Sequence, residues 1–323
     1  MVEVQPGGIL VFSDVHANLE ATLAFIETAY MSNGEKAANS RLGKSDRIRE
    51  AKRIVKERKN RYEKVILLGD LIGYGPNPNE VIDIISSIPN LEAVVGNHDE
   101  AVLKYYNSRY DFLKTRFGFD GKVNEDVLNG FAEHATETLK WTLKSLDVKS
   151  FFKLWGMFSD DGVFGKETRK SLKIGNAYFC HKGPGSFSNR YINFPKDHVN
   201  SPYELEGRES GDLGYYPWEA KDEVRHKFVF VGHSHLPHVY TLQNGKVFAN
   251  PGCVGKPLEE DRQGSFYVFH PDAKKGREIH RHRIEYDAKP YLRKMRGLLS
   301  AGAITQNTFN AIAGNLEQNG KTN

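Results

Sequence analysis

A chain of 323 residues, 39% hydrophobic and 27% charged, is long enough to bury a sizeable core, which excludes a disordered tail or linker. Its two cysteines, Cys180 and Cys253, are too few for a disulfide scaffold, and a reducing cytoplasm is the expected setting. The net charge of +4 is unevenly spread: residues 31–64 hold twelve Lys or Arg against five Asp or Glu, so the remainder is slightly acidic and a nucleic-acid footprint over the whole surface is excluded.

The chain starts without the basic and apolar segments of a secretory leader. No apolar run approaches the ~18 residues of a spanning helix, so no membrane partner is expected. Residues 9–12 are all apolar and predict a buried strand that gives way at once to polar residues. Asn18 is placed to cap a helix running to about residue 30. Ser45 is expected to cap a second, Lys/Arg-rich helix to about Tyr62, with Ile48, Val55 and Tyr62 at heptad-like spacing. Another apolar run, 65–68, ends in Gly69-Asp70, and a turn-rich stretch from Gly73 to Pro78 leads into a helix over residues 79–87. A third strand, 91–95, ends in Gly96-Asn97-His98-Asp99. Residues 100–158 read as mostly helical. Strand character returns at 177–180, ending at His181, and at 228–231, ending in Gly232-His233-Ser234-His235. Further strands are predicted at 239–242, 247–248, 265–269 and 278–284. Residues 159–169 and 197–213 read as loops, and 288–323 as two helices with a polar tail.

Five clusters of ionisable or amide groups therefore follow directly on apolar strands: Asp14 with His16, Asp70, Asn97-His98-Asp99, His181, and His233 with His235. In α/β sheets the carboxyl ends of strands are where ligands bind. Alternate residues of an extended segment can aim two side chains at one point, as Asp14 and His16, or His233 and His235, would do. Burying carboxylates and imidazoles together is costly unless something pairs with them, and a pair of divalent cations supplies that pairing. Taken singly, an Asp-x-His or a Gly-Asp after a strand is a turn or a cap. All five in this order are not explained that way.

In these motifs the chain resembles the calcineurin-like metallophosphoesterase superfamily, whose pattern is D-x-H, G-D, G-N-H-[DE], H and G-H-x-H. It is most similar to the YfcE-type bacterial and archaeal phosphodiesterases. The segments that carry the likeness are Ser13-Asp-Val-His-Ala-Asn18, the run from Leu68 through Gly73-Tyr74-Gly75-Pro76 to Ile82, Val95-Gly-Asn-His-Asp99, and Asn250-Pro-Gly-Cys-Val-Gly-Lys-Pro257. The resemblance implies an α/β fold of four layers, two facing mixed β-sheets flanked by helices. It implies a metallophosphoesterase domain over residues 1–287, with a basic helical insertion at 31–63, loop insertions near 100–133 and 196–225, and a C-terminal helical extension at 288–323.

The resemblance also implies a ligand set. One metal falls to Asp14, His16, Asp70 and His235, the other to Asp70, Asn97, His181 and His233, with Asp70 bridging. Imidazole, carboxylate and amide donors without thiolate admit Mn, Fe, Co, Ni or Zn. The implied activity is that of a phosphoesterase, a phosphodiesterase first, in which a metal-bridging hydroxide attacks phosphorus. His98, not a ligand in the family, is implied as proton donor to the leaving group, with Asp99 behind it to orient the ring. An acid in the first turn of a helix is the plainer account of Asp99. The alternatives are a phosphomonoesterase or protein phosphatase and a dinucleoside polyphosphate hydrolase. Both are expected to carry an Arg in the turn after the second motif, where this chain reads Gly73-Tyr74-Gly75-Pro76. A non-catalytic scaffold on the same fold would be expected to have lost ligands. Ala17, Lys182 and Cys253 depart from the usual pattern without touching a ligand position. The basic insertion leaves nucleic acid as a weaker partner beside a small phosphoester, and a solvated helix lying on the domain is the simpler reading.

Overall fold

The computed structural model describes residues 7–31, 42–107, 125–159, 167–185, 224–259, 261–274 and 276–317. The expected loop at 197–213, residues 160–166 of the loop expected at 159–169, residues 32–41 of the basic insertion, 108–124 and 196–223 of the two loop insertions, and the polar tail lie outside the described residues.

Among the described residues, ten strands form two mixed sheets of five. The first has the order β10-β9-β1-β2-β3, built from β1 (Ile9–Phe12), β2 (Lys64–Leu67), β3 (Leu91–Ala93), β9 (Gly264–Phe269) and β10 (Ile279–Ile284). β1, β2 and β3 run parallel, with Ile9 opposite Lys64 and Phe12 opposite Leu67, and β9 and β10 complete the sheet antiparallel. The second has the order β4-β5-β6-β8-β7, from β4 (Ser171–Ile174), β5 (Ala177–Cys180), β6 (Phe228–Phe230), β7 (Pro237–Thr241) and β8 (Val247–Pro251).

The apolar runs have no polar face because both faces of each central strand are covered. Ile9 and Val11 of β1 and Ile66 of β2 meet Ala177, Phe179, Phe228 and Phe230 between the sheets. The alternate residues, Leu10, Phe12, Val65 and Leu67, face the helical layer of α1 (Leu19–Tyr30), α2 (Lys44–Glu57), α3 (Pro78–Ile85), α4 (Asn97–Asn107), α5 (Glu133–Ser145) and α6 (Val148–Phe158). Asn18 caps α1 as expected, its side chain accepting from Ala21 N at 3.1 Å.

Two expectations are corrected. The sequence predicts no strand at β4, since Ser-Leu-Lys-Ile is short and half exposed at a sheet edge; only Leu172 and Ile174 reach the core between the sheets. The basic helix begins after Gly43, not at Ser45, because the Gly43 carbonyl takes the amides of both Asp46 and Arg47, and it ends at Glu57, short of Tyr62. Ala51, Ile54 and Val55 of α2 are buried against the helical layer, with the Tyr62 hydroxyl donating to Ala29 O. Around that contact Arg47 pairs with Glu20 of α1 and Lys52 with Asp83 of α3, while Arg53 pairs with Glu50 and Glu57 of its own helix. Val55→Asp, which buries an unpaired carboxylate, is therefore expected to cost about 3 kcal/mol and lower the melting temperature by several degrees. Arg53→Ala, by contrast, should leave the melting temperature within error. Calorimetry of the two variants checks whether the insertion is part of the fold.

The C-terminal extension consists of α7 (Lys289–Ser300) and α8 (Gln306–Glu317), both packed onto the domain. Tyr291, Leu292, Met295, Phe309 and Ile312 join Ala135 of α5 and Tyr74 in one apolar cluster. Glu137 accepts from both the amide and the hydroxyl of Thr305 between the two helices. No helix among the described residues is long and apolar enough to cross a membrane.

Candidate metal centre

The loops that leave the C-terminal ends of β1, β2, β3, β5 and β6 meet at one end of the sandwich. They are laced by main-chain hydrogen bonds: Asp14 N to Gly69 O, His16 N to Asp70 O, Gly232 N to His181 O and Gly255 N to Asp14 O, all between 2.8 and 3.0 Å. Asp14, His16, Asp70, His233 and His235 hold φ between 49° and 69°, left-handed backbone that costs a non-glycine residue on the order of 1–3 kcal/mol. Five such residues in three loops, each aiming a carboxylate or imidazole at one place, mark a site for which stability has been given up. Gly96 has a steric reason of its own: a Cβ there would run into the amide and carboxylate of Asp70. Gly-Asp on one loop and Gly-Asn on the next are needed for the two loops to close on each other.

The donors fall into two groups. In the first, His16 Nδ1 donates to Ile72 O at 3.2 Å and His235 Nδ1 to Lys256 O at 3.0 Å. Carbonyls only accept, so these contacts put the ring proton on Nδ1 and leave a lone pair on Nε2. The two Nε2 atoms then face each other at 2.9 Å, with Asp14 Oδ1 3.7 and 3.4 Å away. Asp14 Oδ1 is buried and has no hydrogen-bond partner among the described residues. In the second group, His181 Nδ1 donates to Leu68 O at 2.7 Å, while its Nε2 lies 3.0 Å from Asn97 Oδ1 and 3.3 Å from Asp70 Oδ2. Asp70, His181 and His233 bring ligand atoms within 4.8 Å of one another, as do Asp14, His16 and His235. Asp70 Oδ2 also stands 3.9 Å from His16 Nε2, so this carboxylate lies between the two groups. In the first group converging acceptors repel one another in a buried space, and a bound cation would turn that repulsion into ligation. The residues present fit a divalent-metal site. The seven residues expected as ligands are thus brought together.

The two groups differ in protonation. Burial, and next the neighbouring His235, hold the His16 imidazole well below its ordinary pKa. For His181 burial acts in the same direction, but the Asp70 carboxylate more than offsets it and the pKa rises to about 9. Asp70 is itself held well below the carboxylate range, burial being outweighed by the imidazoles of His181 and His98. In the metal-free protein a proton therefore occupies the ligand atom of His181 below pH 9. Metal entering that group must displace it, and its affinity should rise about tenfold per pH unit up to pH 9 and level off above. His16 imposes no such dependence on the other group. Metal titrations of stripped protein between pH 6 and 9.5, with proton release followed in weak buffer, test this asymmetry.

His98 stands among these donors, its ring nitrogen within 4.8 Å of ligand atoms of His16 and Asp70. Its Nε2 is 4.0 Å from Asp70 Oδ2, and its backbone N–H donates to Asp70 Oδ1 at 3.0 Å. Burial pushes its pKa down to about 4 against the pull of Asp70. The expected partnership of Asp99 with this imidazole is corrected. The Asp99 carboxylate accepts from the backbone amides of Leu71, Ile72 and Gly96, each at 3.2 Å, and so ties the second and third loops together. The first turn of α4 aims its acid inward at two neighbouring loops instead of outward along the helix. Burial, with Asp70 next, raises the Asp99 pKa to about 7.

Sequence reasoning missed the wall beside His98. The Tyr74 ring lies 4.6 Å from both His16 and His98 and stacks on His134 at 5.7 Å, while Phe131 stands edge-on to His98 at 5.2 Å. The signal available was Tyr74 itself, a large aromatic residue in a Gly-x-Gly turn shortly after Asp70, here with φ of 51°.

Comparison with known proteins agrees with this geometry. The description "Calcineurin-like phosphoesterase" matches residues 8–252. An uncharacterized protein of Methanocaldococcus jannaschii is 27% identical over 302 residues, with 89% of this chain and 91% of the relative covered. A metallophosphoesterase from Sphaerobacter thermophilus shares the fold, with a TM-score of 0.55 at 21% identity, covering 96% of this chain and 100% of its own.

Proposed function

The chain belongs to the calcineurin-like phosphoesterase family, and from that premise we propose that it is a hydrolase of phosphoric esters, diesters first, that works with two divalent transition-metal ions in a reducing cytoplasm. The observation that supports this best is the imidazole arrangement: three rings turn their Nδ1 protons to main-chain carbonyls and their Nε2 atoms toward Asp14, Asp70 and Asn97. Any of Mn, Fe, Co, Ni and Zn suits these donors, and manganese is the first to try. When bound, such a pair of ions supplies a nucleophilic water near neutral pH and neutralises charge on the phosphoryl oxygens.

The chain's own groups do the rest. Asp70 keeps one carboxylate oxygen between the two donor groups and fixes the start of α4 with the other. The backbone of His98 is held by that bond, and its Nε2 points to the same space as Asp70 Oδ2; burial keeps the ring neutral near pH 7, so it can serve as proton donor to a departing oxygen only once the negative charge of a bound phosphoester raises its pKa. Tyr74 and Phe131 close off the far side of that imidazole and keep water away from it. No side-chain nucleophile is needed. A scaffold role does not account for a full ligand set held largely in left-handed backbone.

The test is a screen of metal-stripped protein, reloaded with each metal, against bis(p-nitrophenyl) phosphate, p-nitrophenyl phosphate, cyclic nucleotides and single-stranded nucleic acid. The proposal expects diester hydrolysis that needs added metal. Metal-loaded protein inert toward every phosphate ester would overturn it.

A further inference from the structure

We propose that Tyr74 is a positioning residue that fixes the rings of His16 and His98 against each other, and that the C-terminal helix pair, α7 and α8, takes part in the reaction by holding Tyr74 in place. This rests on the phosphoesterase reading, in which His16 is a ligand and His98 the proton donor.

The ring of Tyr74 closes a triangle. It lies 4.6 Å from His16 and 4.6 Å from His98, and the two imidazoles stand 5.1 Å apart, edge to face. Rings at such separations are in contact, so neither imidazole can tilt toward the third side unless the phenol moves. The turn that carries Tyr74 is pressed onto the same two residues. A Cβ on Gly73 would stand 2.3 Å from His98 Nδ1, and one on Gly75 would stand 2.3 Å from His16 O. The Gly75 N–H donates to that carbonyl at 3.1 Å. Tyr74 itself has φ of 51°, a left-handed backbone that persists only where the surroundings impose it.

Those surroundings are the C-terminal extension. Tyr291, Met295, Phe309 and Ile312 of α7 and α8 share one apolar cluster with Tyr74. His134 of α5 stacks on the Tyr74 ring at 5.7 Å with 16° between the planes. α5 is tied to the extension in turn, because Glu137 accepts from the amide and the hydroxyl of Thr305. Packed side chains thus run without a break from α7 and α8 to both imidazoles. Tyr74 is only 6% exposed, so packing, not contact with a substrate, gives the ring its role. A general acid works only within hydrogen-bond reach of the departing oxygen, and a displacement of about 1 Å set off by a distant change costs about 10²-fold in rate.

The experiment uses full-length protein as wild type, Tyr74→Leu, Tyr74→Phe, Phe309→Ala and Phe151→Ala. Phe151 of α6 is as deeply buried as Phe309 but belongs to a different cluster, which contains nothing from α7 or α8, so it controls for stability alone. Manganese-loaded samples are assayed with a diester that has an alkoxide leaving group, well below each melting transition, with rates expressed per bound metal. Tyr74→Leu should lower kcat about 10- to 100-fold with KM within about threefold of wild type, the pattern of a lost transition-state contact, and Tyr74→Phe should recover most of it. Phe309→Ala should lower kcat about tenfold and Phe151→Ala less than about twofold, although both lose a buried ring. In metal-stripped protein labelled with ¹³C at histidine Cε1, the His16 and His98 signals should shift in Tyr74→Leu and Phe309→Ala and stay in place in Phe151→Ala. Wild-type kcat in Tyr74→Leu, or equal effects of the two Phe variants, would overturn the inference. The imidazole signals need no hydrolysis. Signals unmoved in Tyr74→Leu overturn the positioning role whether or not the protein cleaves esters, whereas a loaded wild type inert toward every ester overturns the phosphoesterase reading on which the inference rests.

Discussion

Replacing Asp70 by Asn is expected to remove bound metal and turnover together, with a loss of at least about 10³-fold in hydrolysis of a chromogenic diester. The geometry gives the reason. Asp70 Oδ2 lies 3.3 Å from His181 Nε2 and 3.9 Å from His16 Nε2, one imidazole from each donor group. An amide nitrogen there would turn two protons toward nitrogens that must ligate, and the charge that balances both cations would be gone. The substituted side chain still offers one oxygen in place of Oδ1, so the bond from His98 N survives and the fold should too. Measuring metal content and the thermal transition in the same preparation separates loss of ligation from loss of structure. A variant that keeps both metals and wild-type turnover would remove Asp70 from the bridging position.

The second large effect is expected from His98→Ala, and it should depend on the leaving group. His98 belongs to a cluster with His16 and Asp70 whose ligand atoms lie within 4.8 Å, so distance alone does not separate a ligand from a proton donor. His16 and His98 stand at nearly the same distance from Asp70 Oδ2, 3.9 and 4.0 Å, so metal content of the variant is what separates the two roles. With His98 as donor, His98→Ala should retain both metals. Its turnover should fall about 10²–10⁴-fold for a diester with an alkoxide leaving group, the range associated with a general acid. With a nitrophenolate leaving group, which departs without a proton, the fall should be much smaller. An equal fall for both esters would end the general-acid role, and a lost metal would place His98 among the ligands.

The site was legible in the sequence to an unusual degree because each ligand cluster follows closely on a run of apolar residues. Only Ser13 separates Ile9–Phe12 from Asp14, and Ala177–Cys180 runs straight into His181. A fully buried strand and the polar loop it feeds differ so sharply in composition that the boundary is visible in one sequence. The fold layers were implied by the family resemblance that these clusters carry, not by the runs alone. Three things were not legible. The strand Ser171–Ile174 owes its place to pairing with Ala177–Cys180 at a sheet edge, where side chains carry little pattern. The start of Lys44–Glu57 is set by the carbonyl of Gly43, a backbone group that leaves no mark in side-chain chemistry. Asp99 and Tyr74 acquire their places through contacts between loops. Asp99 is as good a helix N-terminal acid on paper as it is a brace for Leu71 and Ile72 in the structure. Only the folded chain brings Lys256 over Tyr74.

The central claim is that Asp14, His16, Asp70, Asn97, His181, His233 and His235 hold two metal ions that act together. The most direct test is a stoichiometric manganese titration of stripped protein at pH 8, with bound metal measured by mass spectrometry and diester hydrolysis followed in each sample. The expected result is saturation at two ions per chain, with hydrolysis small at one equivalent and complete at two. Saturation at one ion per chain, or full hydrolysis at one equivalent, would contradict it.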